Sequence, residues 1–208
     1  MYRVLLTVFF VTVIFLQPTK EVLAFTKANE FVRTANYFLL SGQRLDDAVG
    51  TLATFDLIVI PVEAQVYNES FFETIREHNP DIVILPYIPT VSWNDLYWND
   101  SLHQSLYSQI DDDWWLTDSD SDQVSVWPNT RALNLNSGWG EFLPEWVEDE
   151  VLSTNLWDGI FYDEVQDSIS WLGDVDVDQN GSRDSGSHAD DLWEDAYEQL
   201  FEETRELI

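Results

Sequence analysis

Apolar positions along the chain follow two alternating patterns. Four short stretches are almost continuously apolar: 36–40 with Tyr37, Phe38, Leu39 and Leu40; 55–62 with Ile58, Val59 and Ile60; 82–88, closed by Pro89; and 157–165, with Gly159, Ile160, Phe161 and Tyr162 ahead of Asp163. Runs of this length without polar alternation predict strands of a parallel sheet covered on both faces. The segments between them change period. Leu45, Ala48, Val49 and Leu52 recur at helical spacing after the break at Ser41-Gly42, and Phe71, Phe72 and Ile75 do so before a stop at His78-Asn79-Pro80. Strands alternating with amphipathic helices predict an α/β fold.

One stretch, 90–136, breaks this rhythm and is far longer than an ordinary connection. It holds Trp93, Trp98, Trp114, Trp115 and Trp127 among many Asp residues, with a short helix expected over 101–110 and an extra strand over 131–135. A further helix is expected to run to about residue 153, with Phe142, Leu143, Trp146, Val147 and Val151 on one face; Pro144 calls for a start near Glu141 or a kink. The last helix is predicted to begin at Ser187, whose spacing to Asp190 is that of a capping box, and to turn Leu192, Trp193, Ala196, Tyr197, Leu200 and Phe201 inward.

Composition narrows the functional classes. Of 208 residues, 39 are Asp or Glu and 9 are Lys or Arg, a formal net charge of -30, which excludes binding nucleic acid through a basic surface. A hydrophobic share of 45% and an aromatic share of 14% are too high for an acidic disordered chain, so a packed core is expected. Acids scattered over the whole length predict a solvated acidic surface suited to high salt or divalent cations. Arg3, the apolar run 4–16 and the end Val22-Leu23-Ala24 match a secretory signal peptide over 1–24, with 25–208 as the mature chain. The apolar run is shorter than the ~20 residues that span a bilayer, so no stable membrane span is expected after its removal and the product is expected to be secreted. There is no Cys, hence no disulfide framework and no thiol chemistry.

The fourth apolar run delivers Asp163 at its carboxyl end, the end that faces the active site in (β/α) barrels. Glycosidic cleavage needs two carboxyl groups, one to protonate the leaving oxygen and one to act as nucleophile or activate water. Asp163 suits either task, or caps the segment that follows. Asp167 and Glu63, which follows the second strand, are candidate partners, against readings as solvated surface acids. Glu164 is expected on the opposite side of the strand from Asp163. Tyr87 at the third strand end either bonds a sugar or fills the barrel top. Trp93, Trp98, Trp127 and Trp171 are candidates for stacking on sugar rings or for core packing.

These residues lie in blocks that resemble a known family. Phe55-Asp-Leu-Ile-Val-Ile, Asn79-Pro-Asp-Ile-Val-Ile-Leu-Pro-Tyr-Ile, Trp127-Pro-Asn-Thr-Arg-Ala-Leu-Asn-Leu-Asn and Leu156-Trp-Asp-Gly-Ile-Phe-Tyr-Asp-Glu-Val-Gln-Asp-Ser-Ile-Ser-Trp look like successive blocks of hypothetical glycosyl hydrolase family 15, similar in turn to polygalactosaminidase-type barrels. The resemblance implies a (β/α)8 TIM-type barrel acting on O-glycosidic bonds of a polysaccharide or oligosaccharide, with Asp163 and Asp167 at the matching acids. Glu164 stands where the motif is expected to carry Asn.

A second motif is Asp174-Val-Asp176-Val-Asp178-Gln-Asn180-Gly181, followed by Asp184. Alternating acids before Asn-Gly reproduce the first half of an EF-hand-type loop, and Asp174, Asp176, Asp178, Asn180 and Asp184 are candidate ligands of a structural Ca2+. Ser187 occupies the twelfth position, where a bidentate Glu is usual. No cofactor is expected for the chemistry itself. The rival reading is a non-catalytic carbohydrate-binding or Ca2+-dependent surface protein on the same scaffold. Only four βα units are counted where a closed barrel has eight and ~250 residues, so a barrel truncated to its N-terminal half is expected.

Overall fold

Each apolar run supplies a strand, and the four strands pair in parallel in the order in which they occur. The computed structural model describes residues 32–207; the expected signal peptide lies outside them. In chain order the elements are β1 (Ala35–Tyr37), α1 (Gln43–Leu52), β2 (Leu57–Pro61), α2 (Ala64–Tyr67), α3 (Glu69–His78), β3 (Val83–Pro89), β4 (Ser92–Trp93), α4 (Ser101–Tyr107), β5 (Arg131–Ala132), α5 (Gly138–Trp146), β6 (Phe161–Asp163) and α6 (Gly186–Leu207). The main sheet has the order β1-β2-β3-β6 and is parallel throughout, with Tyr37 opposite Val59, Pro61 opposite Tyr87 and Pro89 opposite Asp163. This is a half-barrel of four βα units.

The two faces of this sheet differ. Along β3, Ile84, Pro86 and Ile88 are buried while Val83, Leu85 and Tyr87 are only partly covered. The buried set joins Ile58, Ile60, Phe71, Phe72, Trp139 and Trp193 in the core beneath the helices. The continuous apolar runs predict burial on both sides; β2 shows it, with Val59 and Pro61 buried as well as Ile58 and Ile60, whereas on β3 the side that carries Val83, Leu85 and Tyr87 is only partly covered.

Curvature is nonetheless pronounced. Strands one and four of a flat sheet would lie about 14 Å apart. Here the Tyr37 hydroxyl of β1 donates to Asp163 Oδ2 of β6 at 3.3 Å, and its ring lies 5.6 Å from that of Phe161.

Several boundaries differ from expectation for local reasons. The fourth run shortens to three strand residues because Trp157 turns into the core, edge-on to Phe72 at 4.8 Å, and Asp158 exchanges hydrogen bonds with the backbone of Ile84. Within the long excursion, β4 and β5 pair antiparallel, and α4 ends at Tyr107. Arg131 fastens that excursion: its Nη2 and Nε reach Asp95 at 2.6 and 3.0 Å, and its guanidinium lies 4.1 Å from the Trp115 ring. Helix α5 starts earlier than Pro144 suggests, at Gly138 with Ser137 as its cap, and widens into a π turn over Val147–Val151 after the proline. Gly140 is required there, since a Cβ would collide with the Leu135 carbonyl oxygen. Asp190 does not serve its own helix; its carboxylate accepts from Ile169 N, Ser170 N and Ser170 Oγ, holding the loop after β6.

The carboxyl ends of β3 and β6 are joined by buried polar groups. Thr90 is fully buried, and both its N–H and its hydroxyl donate to the Asp163 carbonyl, at 3.2 and 2.9 Å. The Tyr197 hydroxyl of α6 lies 2.7 Å from the Glu164 carbonyl and 2.8 Å from Thr90 Oγ1. From α5, Trp139 Nε1 donates to the Thr90 carbonyl at 2.7 Å. Tyr197→Phe is expected to leave buried acceptors unpaired and to cost about 1–3 kcal/mol. Thermal denaturation should then show a midpoint lower by several degrees, at about 2–4 °C per kcal/mol for a domain of this size.

Candidate active site

The parallel register brings the carboxyl ends of β1, β2, β3 and β6 to one rim. Tyr37, Glu63, Tyr87 and Asp163 all stand there, and the Tyr37 and Tyr87 rings meet edge to face at 5.8 Å. The Tyr37 phenol is pushed up to about 12, by burial first and then by the adjacent Asp163 charge. Tyr87 is shifted in the same direction for the same reasons, with a hydrogen bond to Asp163 contributing. Both hydroxyls therefore remain protonated donors to Asp163 and orient its carboxyl group.

Beside this group opens a cleft of about 580 Å³ bordered by Glu63, Tyr87, Ser92, Tyr97, Trp127 and Glu164, among others. Its size is within the usual range for small-ligand sites. A neighbouring mouth is shared by Tyr87, Trp127, Asp163 and Glu164. Trp127 is 52% exposed and Tyr97 79% exposed, so both present aromatic faces to solvent at the cleft.

Glu63 follows β2 and is pushed above the usual carboxylate range by burial, with the neighbouring Asp100 charge adding to this and His103 and Ser41 opposing it. Behind it, Asp100 caps α4 through the N–H groups of Leu102 and His103, and its other oxygen meets His103 Nδ1 at 2.6 Å. The His103 ring stacks on Trp98 with centroids 5.0 Å apart.

The other expected site residues are placed elsewhere. Asp167 is exposed and stands outside the lining of the cleft. Trp93 is buried, against Trp98 and Tyr107. Trp171 is half exposed and is not part of either lining, but donates at 3.0 Å to Oε1 of Gln166, which borders the mouth containing Asp163. Sequence reasoning missed Tyr37, Ser92 and Tyr97, and placed Glu164 on the opposite side of the strand from Asp163. Only the departure at Glu164 from the expected Asn carried any signal.

In the acidic loop, Asp176 accepts from the N–H groups of Asn180 and Gly181, and Asp184 from those of Val177 and Asp178. Asp174 turns away to Ser119. Asp178, Asp184 and His188 bring potential ligand atoms within 4.8 Å of one another among the described residues. An imidazole in that set matches the all-oxygen preference of Ca2+ less well than the spacing of acids alone implies.

A parallel βα half-barrel with carboxyl groups at the carboxyl ends of its strands defines the class, half of a (β/α) TIM-type barrel. More than half of the chain, residues 76–208, matches hypothetical glycosyl hydrolase family 15, and the chain belongs to that family. Among solved structures, α-L-fucosidase isoenzyme 2 from Paenibacillus thiaminolyticus is similar with a TM-score of 0.51 at 13% identity, covering 85% of this chain and 31% of that one. The glycoside hydrolase domain of PelA from Pseudomonas aeruginosa gives a TM-score of 0.49 at 11% identity, covering 84% and 54%. The chain thus spans about half or less of the structures it matches. No curated protein matches its sequence. Among the described residues no helix is long and apolar enough to cross a membrane.

Asp100 gives a test of the shell behind Glu63. Burial works to raise its pKa, but the His103 hydrogen bond and charge hold the carboxyl below its usual range. A depressed carboxylate contributes stability that is present above its unfolded pKa, about 3.9, and is lost as pH falls through the folded value. Asp100→Asn is expected to cost about 1–2 kcal/mol at neutral pH. Denaturant melts of both proteins should show this difference shrinking below about pH 4.

Proposed function

We propose that the chain belongs to the catalytic barrel of a secreted glycoside hydrolase that cleaves O-glycosidic bonds of a polysaccharide, with Asp163 as a catalytic carboxylate. The observation that carries this reading is the position of Asp163 at the carboxyl end of the fourth parallel strand, held by the Tyr37 hydroxyl and opening beside Trp127. Hydroxyl donors keep the carboxyl group oriented, as a nucleophile, a base or a stabiliser of positive charge at C1 needs to be. Trp127 offers a flat apolar face to the C–H groups of a sugar ring, the usual platform for a carbohydrate. Family membership supports the reaction class, and the N-terminal sequence pattern supports export.

Full-length protein incubated with a panel of polysaccharides should release reducing ends from at least one. Asp163→Asn should lower that release by about a hundredfold or more with the fold intact. Trp127→Ala, at a half-exposed position, should raise KM with little change in the melting temperature. Binding of a polysaccharide without release would favour a non-catalytic carbohydrate-binding role on the same scaffold. Undiminished turnover by Asp163→Asn would remove the assignment.

A further inference from the structure

Glu164 is the most unusual acid of the rim. Its backbone lies in the left-handed region at φ 65°, a conformation that side chains other than Gly, Asn and Asp seldom adopt and that clusters at functional sites. The consequence is directional. Successive residues of an extended strand point to opposite faces, but a left-handed residue at the strand end breaks that alternation. Glu164 therefore shares with Asp163 the mouth beside Tyr87 and Trp127.

Its two oxygens have unequal surroundings. Oε1 accepts from Ser92 Oγ at 2.7 Å, whereas Oε2 is buried and makes no hydrogen bond of good geometry. A buried carboxylate oxygen without a well-aligned donor is costly, and the cost falls when the group carries a proton. The charge balance agrees. Burial pushes Glu164 above the usual range; Ser92 opposes this, the Asp163 charge adds to it, and Trp127 opposes it.

We propose that Glu164 is the proton-donating acid of the site, working beside Asp163, so that two consecutive residues supply the carboxyl pair; this rests on the glycoside hydrolase reading given above. The Glu164 carboxyl gives its proton to the glycosidic oxygen as the C1–O bond breaks and the bonding electron pair leaves with that oxygen. Water then adds its hydroxyl to C1, and the proton it releases restores the acid. Asp163 faces the positive charge that develops at C1. The other two candidates fit this role less well. Glu63 borders the wider cleft but not the mouth that contains Asp163, and Asp167 is exposed.

The test compares full-length wild type and Glu164→Gln on the polysaccharide that the wild type cleaves and on the 2,4-dinitrophenyl glycoside of the sugar it releases. Dinitrophenolate departs without protonation. Glu164→Gln should therefore lose about a hundred- to ten-thousandfold on the polysaccharide and far less on the aryl glycoside. A variant that keeps its rate on the polysaccharide, or loses equally on both substrates, overturns the proposal while leaving the glycoside hydrolase reading in place. Absence of release by the wild type on every substrate sinks that reading and this proposal with it. Should Glu164→Gln fail to fold, Ser92→Ala decides the matter. Removing the Ser92 bond takes a stabilising donor from the carboxylate, so the alkaline limb of kcat/KM should move to higher pH. An unmoved limb overturns the role of Glu164.

Discussion

Thr90 is the constraint on which the rim depends. Its N–H and hydroxyl meet the Asp163 carbonyl, its carbonyl takes the Trp139 indole, and its Oγ1 lies against the Tyr197 hydroxyl, so one buried residue ties two strand ends to two helices. The two hydroxyls carry two hydrogens between them, yet they stand in three short contacts: Thr90 to Asp163, Thr90 to Tyr197 and Tyr197 to Glu164. One contact always lacks its proton. The arrangement is held by packing around it as well as by hydrogen bonding, and it explains why a non-glycine residue at φ 65° is tolerated at Glu164. The carbonyl of that residue is fixed by Tyr197 from beneath while its side chain is directed into the cleft.

Charge is distributed to the same end. With 39 acids against 9 basic residues, cations are scarce, and two of those described are spent on architecture. Arg131 holds the aromatic excursion to Asp95 and Trp115, while Arg76 meets Asp158 and the Leu156 carbonyl at the entry to the fourth strand. Neither borders the cleft. Burial raises both Glu63 and Glu164, with the Asp100 charge adding to the first and the Asp163 charge to the second, an environment that keeps these two carboxyls inclined to bind protons.

The strands were legible because a sheet apolar on both faces shows apolar residues at successive positions, as Ile58 to Ile60 and Ile84 to Ile88 do. The length of the fourth strand was not. Trp157 is apolar for packing against Phe72, and nothing in a run of apolar letters separates that cause from strand pairing. Asp163 was legible from its place at a strand end. Glu164 was read onto the wrong side because alternation holds only while the backbone stays extended, and a left-handed residue leaves no mark in composition or spacing. Trp93 and Trp127 looked alike as letters; pairing with Arg131 in a two-stranded ribbon buries the first, and a loop leaves the second in solvent. The alternating acids at 174–178 were read as candidate Ca2+ ligands; in the structure Asp176 and Asp178 also take up backbone N–H groups of their own turn.

The bond between Tyr37 and Asp163 has a consequence for the order of events in folding. The two residues are 126 positions apart, and Thr90 and Tyr197 are separated by 107. Contacts of such span carry a large chain-closure entropy and are disfavoured until nearer ones have shortened the effective loop. The first three strands can pair early, since Tyr37 meets Val59 and Pro61 meets Tyr87 over short separations, whereas Pro89 meets Asp163 of β6 across the long excursion. The rim tyrosines can reach their acid only once β6 has docked and α6 has packed behind it. The candidate site is thus expected to form late in assembly, after the local strand pairings.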